Sequence, residues 1–152
     1  MNPTATDQPQ PLWTEAWPTT AVRPDLLAED DPDPSPAAAL GRSHRLVWQV
    51  ATPGAPVLRN LDNLLTDLGH DHDVRVEVVA HGEGLGLVGD GVIAPQQAAA
   101  LRRAGVRLVA CATSMRRWGL HPHQLAPGTR IVSSGVGHLL RRQHQGWAYL
   151  RA

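Results

Sequence analysis

From His44 onward, short apolar runs alternate with stretches of helical periodicity. HRLVWQV (44–50) predicts a strand, and TPG (52–54) a turn. In APVLRNLDNLLTDLG (55–69), Val57, Leu58, Leu61, Leu64, Leu65 and Leu68 recur at helical spacing and Gly69 stops the helix. HDHD (70–73) reads as a loop and the β-branched VRVEVVA (74–80) as a strand. PQQAAALRRAG (95–105) predicts a helix with Pro at its start and Gly at its end. VRLVA (106–110) predicts a strand running straight into Cys111, and ATSMRRWG (112–119) a short helix closed by Gly119. TRIVSS (129–134), GVGHLLRRQHQG (135–146) and WAYL (147–150) follow as strand, helix and strand.

This β-α-β-α-β-α-β-α-β order argues for an α/β domain with a mainly parallel sheet, covered on both faces and joined by right-handed crossovers. Ligands of such sheets sit beyond the carboxyl ends of the strands. The candidate rim is therefore 51–54, 81–91, 111–114 and 133–137.

Residues 1–42 break the pattern. They are rich in Pro, Asp, Thr and Ala, as in EDDPDPSP (29–36), and Pro both fixes φ and lacks a donor N–H. We expect an irregular N-terminal arm over 1–42, with a turn of helix at 22–28, and a folded domain over 43–152. Trp13 and Trp17 are costly to leave in water, so the arm is expected to dock through them on the body or on a neighbouring subunit.

Charge follows the same division. The net charge is zero, yet residues 1–33 hold seven acids and one arginine, while 34–152 hold seven acids and thirteen arginines. The acidic arm lies on a basic body or is simply solvated. A basic body raises nucleic acid as a partner, but no recognition motif supports it. The chain has no lysine, which reads as a compositional bias. No apolar run approaches a membrane span, the N-terminus has neither a basic start nor an apolar core, and Cys111 is the one cysteine. These features point to a cytoplasmic protein without membrane association or a disulfide framework.

Gly84-Leu85-Gly86-Leu87-Val88-Gly89 spells G-x-G-x-x-G. A dinucleotide fingerprint needs a helix starting inside the motif and an acid ending the next strand. Here Pro95 opens the next helix and Cys111 stands at the acid's place. The stretch reads better as a loop at the carboxyl edge of the sheet. The histidine pairs His70/His72 and His121/His123 invite a metal reading, but one cysteine does not make a structural zinc frame. No metal and no cofactor are expected.

Cys111 ends a strand and precedes a helix, where unpaired N–H groups and the helix dipole favour thiolate. Arg116 and Arg117 would add positive potential. The competing reading is an inert buried cysteine. His81 ends the preceding strand on the same rim. Its ring either steadies a thiolate or shuttles a proton, or it bonds the backbone of the glycine loop. Thr113 and Ser114 read as helix caps, with donation to a bound sulfur species as the alternative. No third group that would orient a Cys-His pair is evident. His138 and His144 read as surface or interface residues, and Trp118, Trp147 and Tyr149 as core or subunit-contact aromatics.

The segments HRLVWQV, VVAHGEGL, LRRAGVRLVACATSMRRWGL and IVSSGVGHLLRRQHQGWAYL resemble the DsrE/DsrF-like family over about 44–150, most specifically over 101–150. The resemblance implies a three-layer α/β/α fold with a five-stranded parallel sheet. It also implies assembly into an oligomer such as a homotrimer or hexamer, and the carriage of sulfur as a persulfide on a cysteine that ends a strand before R-R-x-G-like residues. Cys111, followed by Arg116, Arg117 and Gly119, matches that position. Cys111 and His81 are thus the candidate catalytic residues of a sulfur carrier acting between donor and acceptor proteins, at most a sulfur-transfer protein in the enzymatic sense. Fold alone does not establish that chemistry. The alternatives are a non-catalytic interaction subunit of the same fold, or a small-ligand or nucleotide-binding module using the Gly82–Gly91 loop.

Overall fold

A computed structural model describes residues 43–53, 56–68, 73–89 and 91–152. The expected docking of Trp13 and Trp17, and the whole of arm 1–42, fall outside these residues. Five strands form one sheet: β1 (Ser43–Val50), β2 (Asp73–Ala80), β3 (Val106–Cys111), β4 (Arg130–Val132) and β5 (Ala148–Arg151). Their order is β4-β3-β2-β1-β5, and every neighbouring pair is parallel. The helices are α1 (Val57–Leu68), α2 (Pro95–Arg103), α3 (Ala112–Trp118) and α4 (Gly135–His144). The anticipated α/β fold, with a five-stranded parallel sheet between helical layers, is the one observed.

The two faces of the sheet are filled unequally. Side chains alternate along a strand. Leu46, Trp48, Val50, Val76, Val78, Leu108 and Ala110 form a core with residues of the first three helices, among them Val57, Leu61, Ala98 and Met115. The opposite set, Val47, Val79, Val109 and Val132, packs on Leu139 of α4 and on Trp147. Cys111 shares the parity of Val109 and so belongs to the α4 face, whereas α3, which it introduces, belongs to the other.

A buried ionic cluster pins α4 to the sheet. Glu77, 2% exposed, accepts from Arg142 Nε and Nη2, both at 2.8 Å, and lies 2.6 Å from His138 Nε2. The Arg142 guanidinium also covers the Trp147 ring at 4.7 Å. Burial raises the Glu77 pKa, but hydrogen bonds and charge from His138 and Arg142 outweigh it and hold the carboxyl at about 2. His138 is therefore not a surface residue, contrary to the reading of its helix from sequence. Trp147 is buried as expected of a core aromatic, while Trp118 is exposed.

Two boundaries differ from the sequence expectation. Strand β4 stops at Val132 because Ser134 caps α4, its hydroxyl accepting from the Gly137 N–H at 3.2 Å. After β2 the chain winds through a 3₁₀ turn, Gly82–Leu87, rather than an open loop.

Candidate functional site

The carboxyl rim of β2 and β3, closed by the start of α4, holds the chemistry. Cys111 is the last residue of β3 and sits at the N-cap position of α3, extended at φ −82° and ψ 116°. Gly119 ends that helix at φ 63°, a left-handed conformation that favours glycine. The Cys111 side chain is only 5% exposed.

Burial raises the Cys111 pKa, since an apolar surrounding disfavours the anion. Hydrogen bonding from the Ser114 side chain, and from the backbone N–H groups of Gly135, Ser114 and Thr113, more than offsets this. The net direction is downward, toward thiolate. The thiol closes no capping bond of strict geometry to α3, so it feels the N–H groups of Thr113 and Ser114 as dipoles rather than as tight bonds. The charges of Arg116 and Arg117 are not among these causes. Instead, Arg116 Nη2 donates to Thr113 Oγ1 at 3.3 Å.

Ser114 and Thr113 are not caps. The Ser114 hydroxyl accepts from the Gly82 N–H at 2.8 Å while its proton serves Cys111, so one side chain ties the glycine turn to the thiol. Thr113 Oγ1 donates to the Ser133 carbonyl at 3.0 Å and ties α3 to the segment leading into α4.

His81 and Cys111 meet across Gly135. A β-carbon at Gly135 would stand 3.1 Å from His81 Cβ and 3.2 Å from Cys111 Cβ. The two side chains therefore start no farther apart than the sum of those distances. Among the described residues the His81 ring meets Gln49 of β1 and not the glycine loop: its Nε2 lies 2.7 Å from Gln49 Nε2. Gln49 Oε1 in turn accepts from the Tyr149 hydroxyl of β5. Burial lowers the His81 pKa, and the charge of Arg151 lowers it further. A neutral ring is favoured, not an imidazolium paired with the thiolate.

Sequence reasoning singles out Cys111, His81, Ser114 and Thr113, includes Gly135 only as part of the rim stretch 133–137, reads Tyr149 as a core or subunit-contact aromatic, and misses Gln49. Gln49, a polar residue at the carboxyl end of HRLVWQV and on the parity of Val47, was the available signal for a group aimed at the rim. Of the four rim stretches, the structure brings 81–82, 111–114 and 133–135 together around the thiol.

The glycine turn has a packing role. A β-carbon at Gly84 would fall 2.1 Å from the Val50 carbonyl oxygen, whereas Gly86 has open space around it. Gly84 lets the turn lie against the end of β1, which its N–H also bonds through the Ala51 carbonyl at 3.1 Å. A cleft of about 410 Å³ bordered by Thr52, Arg59, Gly86 and Leu87 lies on the α1 side, not on the Cys111 side. His121 and His123 stack on each other at 5.7 Å. Among the described residues, no three His, Cys, Asp or Glu side chains cluster in a way that could hold a metal ion.

Comparison with known proteins agrees with this architecture. The model of the DsrE/DsrF-like family matches residues 58–152. MTH1491, a protein of unknown function from Methanobacterium thermoautotrophicum, is 36% identical with a TM-score of 0.63, over 72% of this chain and 99% of that one. The ychN protein of E. coli shares the fold at 17% identity and a TM-score of 0.50, again over 72% of this chain and 99% of that one. No curated protein matches. With more than half of its length matched by the family model and a relative of this identity over nearly three quarters of it, the chain belongs to the DsrE/DsrF-like family.

Proposed function

We propose that the protein carries sulfur as a persulfide on Cys111, taking it from one protein and passing it to another. The observation that carries this reading is the set of donors around the thiol. Four groups, the Ser114 side chain and the N–H groups of Gly135, Ser114 and Thr113, favour a charged sulfur at a site whose burial alone would keep it neutral. An inert core cysteine does not need them.

The chemistry balances without a cofactor. The Cys111 thiolate attacks the terminal sulfur of a donor persulfide and a new S–S bond forms. The donor's S–S bond breaks, and its electron pair leaves with the donor thiolate. Onward transfer reverses the roles. The same donors that stabilise the Cys111 thiolate make it a competent leaving group.

We place the exchange between protein partners in the cytoplasm, on an oligomeric carrier. Val136 and Leu140, one helical turn apart on α4, are 63% and 55% exposed and give an apolar stripe suited to a subunit contact. Among the described residues, no helix is long and apolar enough to cross a membrane. The test is transfer. Protein loaded with radiolabelled sulfane sulfur should lose the label to an acceptor thiol, and Cys111→Ser should neither take up nor pass it. Label that stays bound in the presence of excess acceptor thiol would refute a relay role.

A further inference from the structure

The polarity of the chain Tyr149–Gln49–His81 assigns His81 a role that a Cys-His pair does not ordinarily have. Gln49 uses its amide oxygen to accept from the Tyr149 hydroxyl. That leaves the amide nitrogen facing His81 Nε2 at 2.7 Å, and an amide nitrogen can only donate. With that amide orientation His81 Nε2 must accept, which would place the ring proton on Nδ1. The strand register supports the arrangement: Val47 pairs with Tyr149 and Gln49 with Arg151 on β5, so these side chains and Gln49 share one face of the sheet. Nδ1 has no hydrogen-bond partner among the described residues.

We propose that Gln49 and Tyr149 are positioning residues that hold His81 in the Nδ1–H tautomer, so that His81 is a fixed hydrogen-bond donor to the sulfur on Cys111 and not its base. In an ordinary triad the third group accepts from the imidazole and raises its basicity. Here the third group donates, and the ring nitrogen that would take a proton is occupied. The thiolate does not need a base, because the donors around Cys111 already favour it. The terminal sulfur of a Cys111 persulfide does need a donor, and Gly135, lacking a β-carbon, leaves the path from His81 open. This rests on the proposed persulfide chemistry for its purpose but not for its measurement. Of the charged groups, Arg151 of β5 acts on the ring, and Cys111 of β3 starts across Gly135 from His81.

The tautomer is read directly by long-range ¹H–¹⁵N NMR of the full chain at neutral pH. The wild type should show His81 as Nδ1–H. Gln49→Leu should lose the selection and return toward the commoner Nε2–H form. Gln49→Glu, which replaces a donor by an acceptor at similar shape, should invert the ring to Nε2–H and raise its titration midpoint. The persulfide on the loaded Gln49→Leu protein should decay roughly five-fold faster, the worth of one hydrogen bond. An Nε2–H ring in the wild type would overturn the proposal, as would an unchanged Nδ1–H ring in a folded Gln49→Glu protein. Failure of the wild type to take up sulfur counts against the relay function alone, since the tautomer is measured without it.

Discussion

Gly135 leaves no room for a β-carbon beside Cys111: one placed there would lie 3.2 Å from Cys111 Cβ. The first residue of α4 thus seats against the last residue of β3 and aims its N–H at the thiol. Gly135→Ala should force the two elements apart by a few tenths of an ångström, at about 1–3 kcal/mol of stability for overpacking. The more specific effect is on reactivity. Alkylation of Cys111 near neutral pH should slow, and chemical denaturation of the same variant separates that loss from unfolding.

The lowered Cys111 pKa has a defined sign in a rate profile. Iodoacetamide reacts with the thiolate, so the rate rises with pH and levels off above the pKa. The midpoint should lie below that of the same cysteine in the urea-unfolded chain. Ser114→Ala removes the side-chain donor and orphans the Gly82 N–H. It should move the midpoint upward, slow alkylation at neutral pH by roughly five- to ten-fold, and cost about 1–3 kcal/mol for the unpaired group.

The Glu77 cluster governs stability toward acid. Its carboxyl is held at about 2, against 4.5 ordinarily. A depressed carboxylate pKa contributes stability that is complete above the unfolded value and is lost as pH falls through the folded one. Chemical denaturation should therefore show a loss of about 3 kcal/mol between pH 5 and pH 2 attributable to this residue. In Glu77→Gln that slope should be absent. The variant should also be less stable at neutral pH by about 3–5 kcal/mol, because Arg142 is left buried without its partner.

What was legible in the sequence follows the range of the interactions. The alternation of elements comes from local periodicity, and the place of Cys111 from an apolar strand meeting a helix, so both could be read. Glu77 could not. Within VRVEVVA it looks like the outward residue of a half-buried strand, and its partners His138 and Arg142 lie 61 and 65 residues away. Gln49 and Tyr149 are 100 residues apart and meet only because β5 adds beside β1 at the edge of the sheet. Gly135 falls within the rim stretch 133–137 that topology predicts, but its close approach to Cys111 and His81 depends on how α4 lies on the sheet, which no local pattern encodes. Ser114 was misjudged for the converse reason. Its place in the first turn of α3 predicts a local role, capping, whereas the hydroxyl joins Gly82 to the thiol.

Sulfur uptake on Cys111 is tested most directly by intact-mass spectrometry after incubation with a low-molecular-weight persulfide. Wild-type protein should gain the mass of one sulfur atom, the gain should vanish on treatment with reductant, and Cys111→Ser should show none. An unmodified wild-type mass under conditions where iodoacetamide alkylates Cys111 would contradict the account.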